Sequence, residues 1–163
     1  MKNAEPKSAT VPNAGEPMMM LLSRLLLLPR DEAQSAAAAE LREMDRDSFD
    51  ALVALASSNH VIIRGMGLSL EALQDPADAI RARWVASALS EERERIAAAV
   101  DFLSVLCAAF QESGLDVTVI KSLDHWPDLG SDIDLYTNAS PESVCAMMRS
   151  RFTARLAPRS WGD

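Results

Sequence analysis

Cysteine and histidine are scarce in this chain: the 163 residues hold two of each, Cys107, Cys145, His60 and His125. The cysteines share no CxxC spacing and sit in helix-like apolar surroundings, which argues against a disulfide framework or a thiolate metal centre. Reduced, buried thiols in a cytoplasmic protein are the reading that follows. A zinc site would also need His ligands, and His60 and His125 are the only two; His60 suits a helix end, and His125 lies in a loop where it could touch a substrate. Excess basic charge is missing as well. The formal net charge is −8 and the pI near 4.8, which speaks against an extensive nucleic-acid surface, because phosphate binding is driven by clustered Lys and Arg. Long apolar runs are absent. The longest candidate, Met18 to Leu28, is interrupted by Ser23 and Arg24 and falls short of the roughly 20 residues of a membrane-spanning helix. Glu5 and Glu16 occupy what would be the basic flank of a signal peptide. The run is therefore read as a buried helix, with no membrane association.

A hydrophobic fraction of 48% with 25% charged residues is ordinary for a soluble globular protein. Residues 1–16, rich in Pro, Gly and polar residues without periodicity, read as a disordered leader. Residues 17–114 read as a helical region. Asp31 to Met44 is alanine-rich, Asp47 looks like the N-cap of a helix through Ser58, and Val61 to Leu73 is apolar with Gly65 and Gly67 allowing close packing. Asp75-Pro76 opens a long helix, or two joined near Ser90, whose Ile96, Val100, Leu103, Cys107 and Phe110 recur at three- and four-residue intervals. Its charged run Glu91 to Arg95 is assigned to a solvated face, and Gly114 ends the helix.

The most informative stretch is Leu115 to Thr137, LDVTVIKSLDHWPDLGSDIDLYT. It predicts a strand over 115–121, a polar loop, and a second strand over 132–137. Residues i and i+2 of a strand share a face, about 6–7 Å apart, so Asp132 and Asp134 project together while Ile133 faces the core. Paired carboxylates repel unless a cation lies between them, and a hard divalent ion such as Mg²⁺, bound by one or two carboxylates plus water and phosphate oxygens, suits the pattern.

The strand ending in Lys121-Ser122, the loop, and Gly130-Ser131-Asp132-Ile133-Asp134-Leu135 together resemble the nucleotidyltransferase superfamily, with its Gly-Ser turn followed by Asp-x-Asp. More narrowly, the segment looks like nucleotidyltransferase-like proteins with a Leu-Lys-Gly type turn before an Asp-Ile-Asp-Leu strand. Lys121 stands where the turn glycine of the superfamily is expected, and Ser122 where the narrower group often has Gly. The resemblance implies an α+β fold, a mainly helical N-terminal region followed by a small, incomplete nucleotidyltransferase-type α/β unit over 115–163. It implies Mg²⁺ or Mn²⁺ on Asp132 and Asp134, and a nucleoside triphosphate beside Lys121, Ser122 and Ser131. The activity implied is transfer of a nucleoside monophosphate to an acceptor hydroxyl, on a small molecule or a protein. The alternative is a non-catalytic nucleotide- or protein-binding module.

After the motif, Ser140-Pro141-Glu142 signals a helix to about Arg149, and Arg151 to Leu156 suggests a third short strand. No acidic strand pattern follows to supply a third carboxylate; Glu142 and Asp163 are the remaining acids, and the unit reads as cut off. The unpaired edge of such a third strand would favour a homodimer or a companion chain. Arg149, Arg151, Arg155 and Arg159 form the one notable basic cluster, suited to a triphosphate or to a solvated face. Trp126 and Trp161 are candidates for stacking on a base or for packing.

Overall fold

A computed structural model of the protein describes residues 15–157. Six helices and one small antiparallel sheet follow in order: α1 (Gly15–Leu27), α2 (Arg30–Glu43), α3 (Arg46–Ser58), α4 (Ile62–Ala72), α5 (Ala79–Glu112), β1 (Thr118–Val119), β2 (Leu135–Tyr136) and α6 (Pro141–Phe152). A 3-10 turn at Pro76–Asp78 leads into α5. The architecture is mostly helical α+β, and none of the described helices is long and apolar enough to cross a membrane. The described residues form two compact units that divide within α5, between Glu91 and Glu92.

In the first unit, α1, α2, α3 and α4 pack on one another around Leu21, Leu25, Leu41, Phe49, Leu52 and Met66, all nearly inaccessible to solvent. The expected helix over Met18–Leu28 is present but two-sided. Leu21, Leu22 and Leu25 are buried, whereas Met19, Met20 and Leu27 are exposed. Its first turn includes Gly15 and Glu16, assigned above to the leader; residues 1–14 lie outside the described residues. Helix α3 begins at Arg46 because Asp45, not Asp47, caps it: the Asp45 carboxylate accepts from the Ser48 N–H at 2.8 Å. Hydrogen bonding by Ser48, from its side chain first and then its N–H, holds the Asp45 pKa below its ordinary value, and Asp47 instead places negative charge in the first turn, where the helix dipole favours it. His60 closes the same helix in a left-handed conformation, φ 53°, with its N–H on Ser57 O and the Val61 N–H on Ala56 O, the paired bonds of a Schellman ending.

The two glycines of α4 differ. A methyl group at buried Gly65 would meet Leu22 Cδ1 at 3.2 Å, which explains its size; at Gly67 nothing lies within 4 Å. Gly67→Ala is therefore expected to stabilise the first unit by about 0.5–1 kcal/mol through helix propensity, with Gly65→Ala falling below that gain. Urea midpoints of the two variants check it, and equal gains would sink the packing argument.

Asp78, at the end of the 3-10 turn, is buried, and the half-exposed Arg42 of α2 lies across it. Arg42 Nε donates to both carboxylate oxygens at 2.9 and 3.1 Å, and Nη2 donates to Oδ2 at 2.6 Å. The hydrogen bonds from Arg42, opposed by burial and aided by the charges of Arg42 and Arg81, hold the Asp78 pKa below the usual value. Nearby, Phe49 and Trp84 meet at 5.7 Å between ring centroids, with Arg46 and Arg81 over the indole.

In the second unit the end of α5 packs Leu106, Ala109 and Phe110 against Met147 of α6, with Leu115, Val117, Ile133 and Leu135 closing the core from the sheet. No break occurs at Ser90, so the long-helix alternative holds. Gly114 terminates α5 at φ 68°, with its N–H on Gln111 O and the Leu115 N–H on Phe110 O. Leu115 packs against the cluster that contains Phe110, and the paired main-chain bonds repeat the helix ending seen after α3. Ser140 caps α6, its hydroxyl accepting from the Ser143 N–H at 3.2 Å. The third strand expected over Arg151–Leu156 is not formed. Arg151 and Phe152 are the last turn of α6, and 153–157 have no regular structure. Met148 and Phe152, four residues apart, both face the core, and Arg149 and Arg151 suit the negative end of a helix.

Candidate functional site

The hairpin over 115–137 is built by alternation. Leu115, Val117, Val119, Ile133 and Leu135 are half-buried, whereas Asp116, Thr118, Ile120, Asp132, Asp134 and Tyr136 are exposed. Only Thr118–Val119 and Leu135–Tyr136 form regular strand, paired Thr118 to Tyr136 and Val119 to Leu135, so both strands are shorter than expected. The same register continues past the strand, because the Ile120 N–H donates to Asp134 O at 2.9 Å. It ends there, because Lys121 turns left-handed and the Ser122 N–H folds back onto Ile120 O. Asp132 and Asp134 thus lie on the face opposite the core, and Ile133 points into it, as the spacing requires.

Asp134 is held from both sides of its peptide unit. Its N–H donates to Ser122 Oγ at 2.7 Å, and Ser122 Oγ in turn lies 3.3 Å from Ile120 O. Ser122 therefore joins the loop to the acidic strand. Lys121, just before it, adopts φ 60°, the left-handed conformation that glycine takes without cost. Lys121 and Ser131 are exposed on either side of the loop.

Loop 121–130 winds through successive turns, Asp124 N–H to Lys121 O, Trp126 N–H to Leu123 O and Asp128 N–H to His125 O, with a cis peptide at Trp126-Pro127. His125 and Trp126 are exposed. Asp128 and Leu129 are buried. The loop is fastened to α5 by Arg95, whose Nη2 donates to Leu129 O at 2.5 Å and Nη1 to Gly130 O at 3.3 Å. Glu92, buried at 7% exposure, grips the same guanidinium through Nε at 2.8 Å and Nη2 at 2.7 Å. Bonding to Glu92, with the nearby charge of Asp128, raises the Arg95 pKa above its ordinary value. The solvated-face assignment holds for Glu91, Arg93, Glu94 and Arg95, which are exposed, and is corrected at Glu92 alone. Glu92 turns inward beneath the exposed Arg95, and their i, i+3 spacing beside buried Ile96 was the available signal.

Other candidates lie elsewhere. Arg151 pairs with Glu112, Arg149 and Arg155 border a hollow of about 220 Å³ beside Cys145 and Met148, and Arg159 and Trp161 fall outside the described residues. A larger hollow of about 670 Å³, among Met18, Leu21, Ala39 and Met44 of the first unit, contains no motif residue. Among the described residues no three His, Cys, Asp or Glu side chains converge as a metal site; Glu142 is an exposed residue of the first turn of α6, and Asp163 is outside the described residues. No family model, curated protein or solved structure matches the chain.

Proposed function

We propose that the outer face of the 115–137 hairpin binds a nucleoside triphosphate through Mg²⁺ or Mn²⁺ held by Asp132 and Asp134, as a nucleotidyltransferase-like protein. The observation that carries this reading is the shared exposure of the two carboxylates on one face, with Ile133 and Leu135 turned inward and Asp134 fixed by Ile120 and Ser122. Two hard oxygen donors fit an ion that takes one or two protein carboxylates and leaves its remaining positions to water and phosphate. Such an ion neutralises phosphate charge and orients its oxygens for transfer to an acceptor hydroxyl. Lys121 and Ser131 flank the pair as candidates for phosphate contact, while Ser122 contributes by holding the acidic strand.

A second reading, a module that binds nucleotide or a protein without turnover, is favoured by the lack of a third metal-ligating side chain among the described residues. Titration of a labelled nucleoside triphosphate with Mn²⁺ tests the shared part of both readings. Asp132→Asn with Asp134→Asn should abolish metal-dependent binding and leave the fold intact, because exposed carboxylates contribute little to stability. Equal affinity in the double variant would refute the site. Pyrophosphate release by the wild-type protein, measured with Mg²⁺, separates transfer from binding alone.

A further inference from the structure

We propose that Arg95 is a positioning residue for the acidic pair, holding the loop from which Asp132 and Asp134 project; the metal-binding half of this inference rests on the function proposed above. Arg95 uses both arms of its fork at once. One side is gripped by Glu92 through two hydrogen bonds, and the other reaches the carbonyls of Leu129 and Gly130. Those carbonyls lie three and two residues before Asp132. A planar guanidinium with several fixed donors can satisfy a carboxylate and two main-chain oxygens in one orientation, which a lysine ammonium on a flexible stem does not reproduce. Glu92 and Asp128 are both buried, so the guanidinium also supplies the positive charge that lets two carboxylates sit beside one loop.

The geometry reaches the acidic pair through main chain. Gly130 O is held by Arg95, Asp134 N–H by Ser122, and Asp134 O by Ile120. Between these fixed points run only Ser131, Asp132 and Ile133. Freeing the Leu129–Gly130 end lets Asp132 move relative to Asp134 and loosens the adjoining Ile120–Asp134 and Asp134–Ser122 bonds, while the Thr118–Tyr136 and Val119–Leu135 pairs remain. Two carboxylates share one ion only if their separation is kept, so metal affinity should follow the clamp even though Arg95 is not itself a ligand.

Arg95→Lys and Arg95→Gln test this in the full chain by two independent readouts. The first is amide hydrogen exchange without metal. Exchange at Asp134 and Ile120 should accelerate at least about threefold in both variants, while Leu115, bonded to Phe110 O, keeps its wild-type rate. The second is Mn²⁺ binding followed by electron spin resonance, where the dissociation constant should rise about threefold to tenfold. Lysine, which keeps the charge, should not restore the wild-type value. Unchanged exchange at Asp134 and Ile120 in a folded variant overturns the proposal whatever the metal does, and so does full rescue by lysine. If the wild-type protein binds no Mn²⁺, the proposed function fails while the exchange readout still decides the clamp. Should Arg95→Gln lose its fold, Arg95→Lys is read alone by the same amides.

Discussion

Phe110→Ala should destabilise the second unit by about 3–5 kcal/mol and abolish ordered pairing of β1 with β2. Phe110 is 3% exposed and belongs to a core in which, among the described residues, the other buried apolar residues are Leu106, Ala109 and Met147. Removing the ring deletes its transfer free energy and leaves a cavity that few neighbours can fill. It also thins the cluster on which Leu115 packs at the end of α5, where the Leu115 N–H bonds to Phe110 O. The sheet has two residues per strand, and a two-stranded hairpin is marginal in water without a packed face. Exchange protection at Leu115 and Ile120 should fall together toward that of an open chain. Retained protection at Ile120 with Leu115 lost would show that the hairpin stands without the Phe110 core.

The apolar alternation of Leu115, Val117, Val119, Ile133 and Leu135 was legible in the sequence because strand periodicity depends only on which residues avoid water. The same holds for Gly114 and Ser140-Pro141, whose roles follow from local backbone chemistry. Strand length was not legible. Pairing beyond Val119 gives way at Lys121, which turns left-handed, and a lysine does not announce that conformation as glycine would. Nor was Arg95. A charged run reads as solvated unless a distant segment brings carbonyls to it, and Leu129 and Gly130 are more than thirty positions away in the chain. The Arg151–Leu156 assignment failed because alternating Arg, Phe, Thr and Ala fits either period, and the contact that decides for helix, Phe152 on the Phe102 ring at 5.8 Å, is tertiary. With that strand gone, the edge on which self-association was expected is not formed among the described residues.

Arg42→Met should be among the most destabilising single changes in the first unit, and adding Asp78→Leu should recover most of the loss. The Asp78 carboxylate is buried to 4% side-chain exposure, while Arg42 remains 45% exposed above it. Removing Arg42 leaves a buried anion with only the more distant charge of Arg81 to offset its desolvation, the situation in which breaking a pair costs more than replacing both members with apolar groups. The pH dependence separates the two cases by sign. In the wild-type protein the folded-state pKa of Asp78 lies below its unfolded value of about 3.9. Its contribution is thus complete above that value and is lost as pH falls through the folded pKa. In Arg42→Met, burial without the guanidinium raises the folded pKa above the unfolded one, so acidification relieves the penalty instead. Subtracting the urea midpoints of Arg42→Met from those of the wild-type protein should therefore give a difference that narrows steadily from neutral pH to below pH of about 4. The double variant should show no such trend. A single variant that tracks the wild-type midpoint at every pH would mean that water, not Arg42, satisfies Asp78.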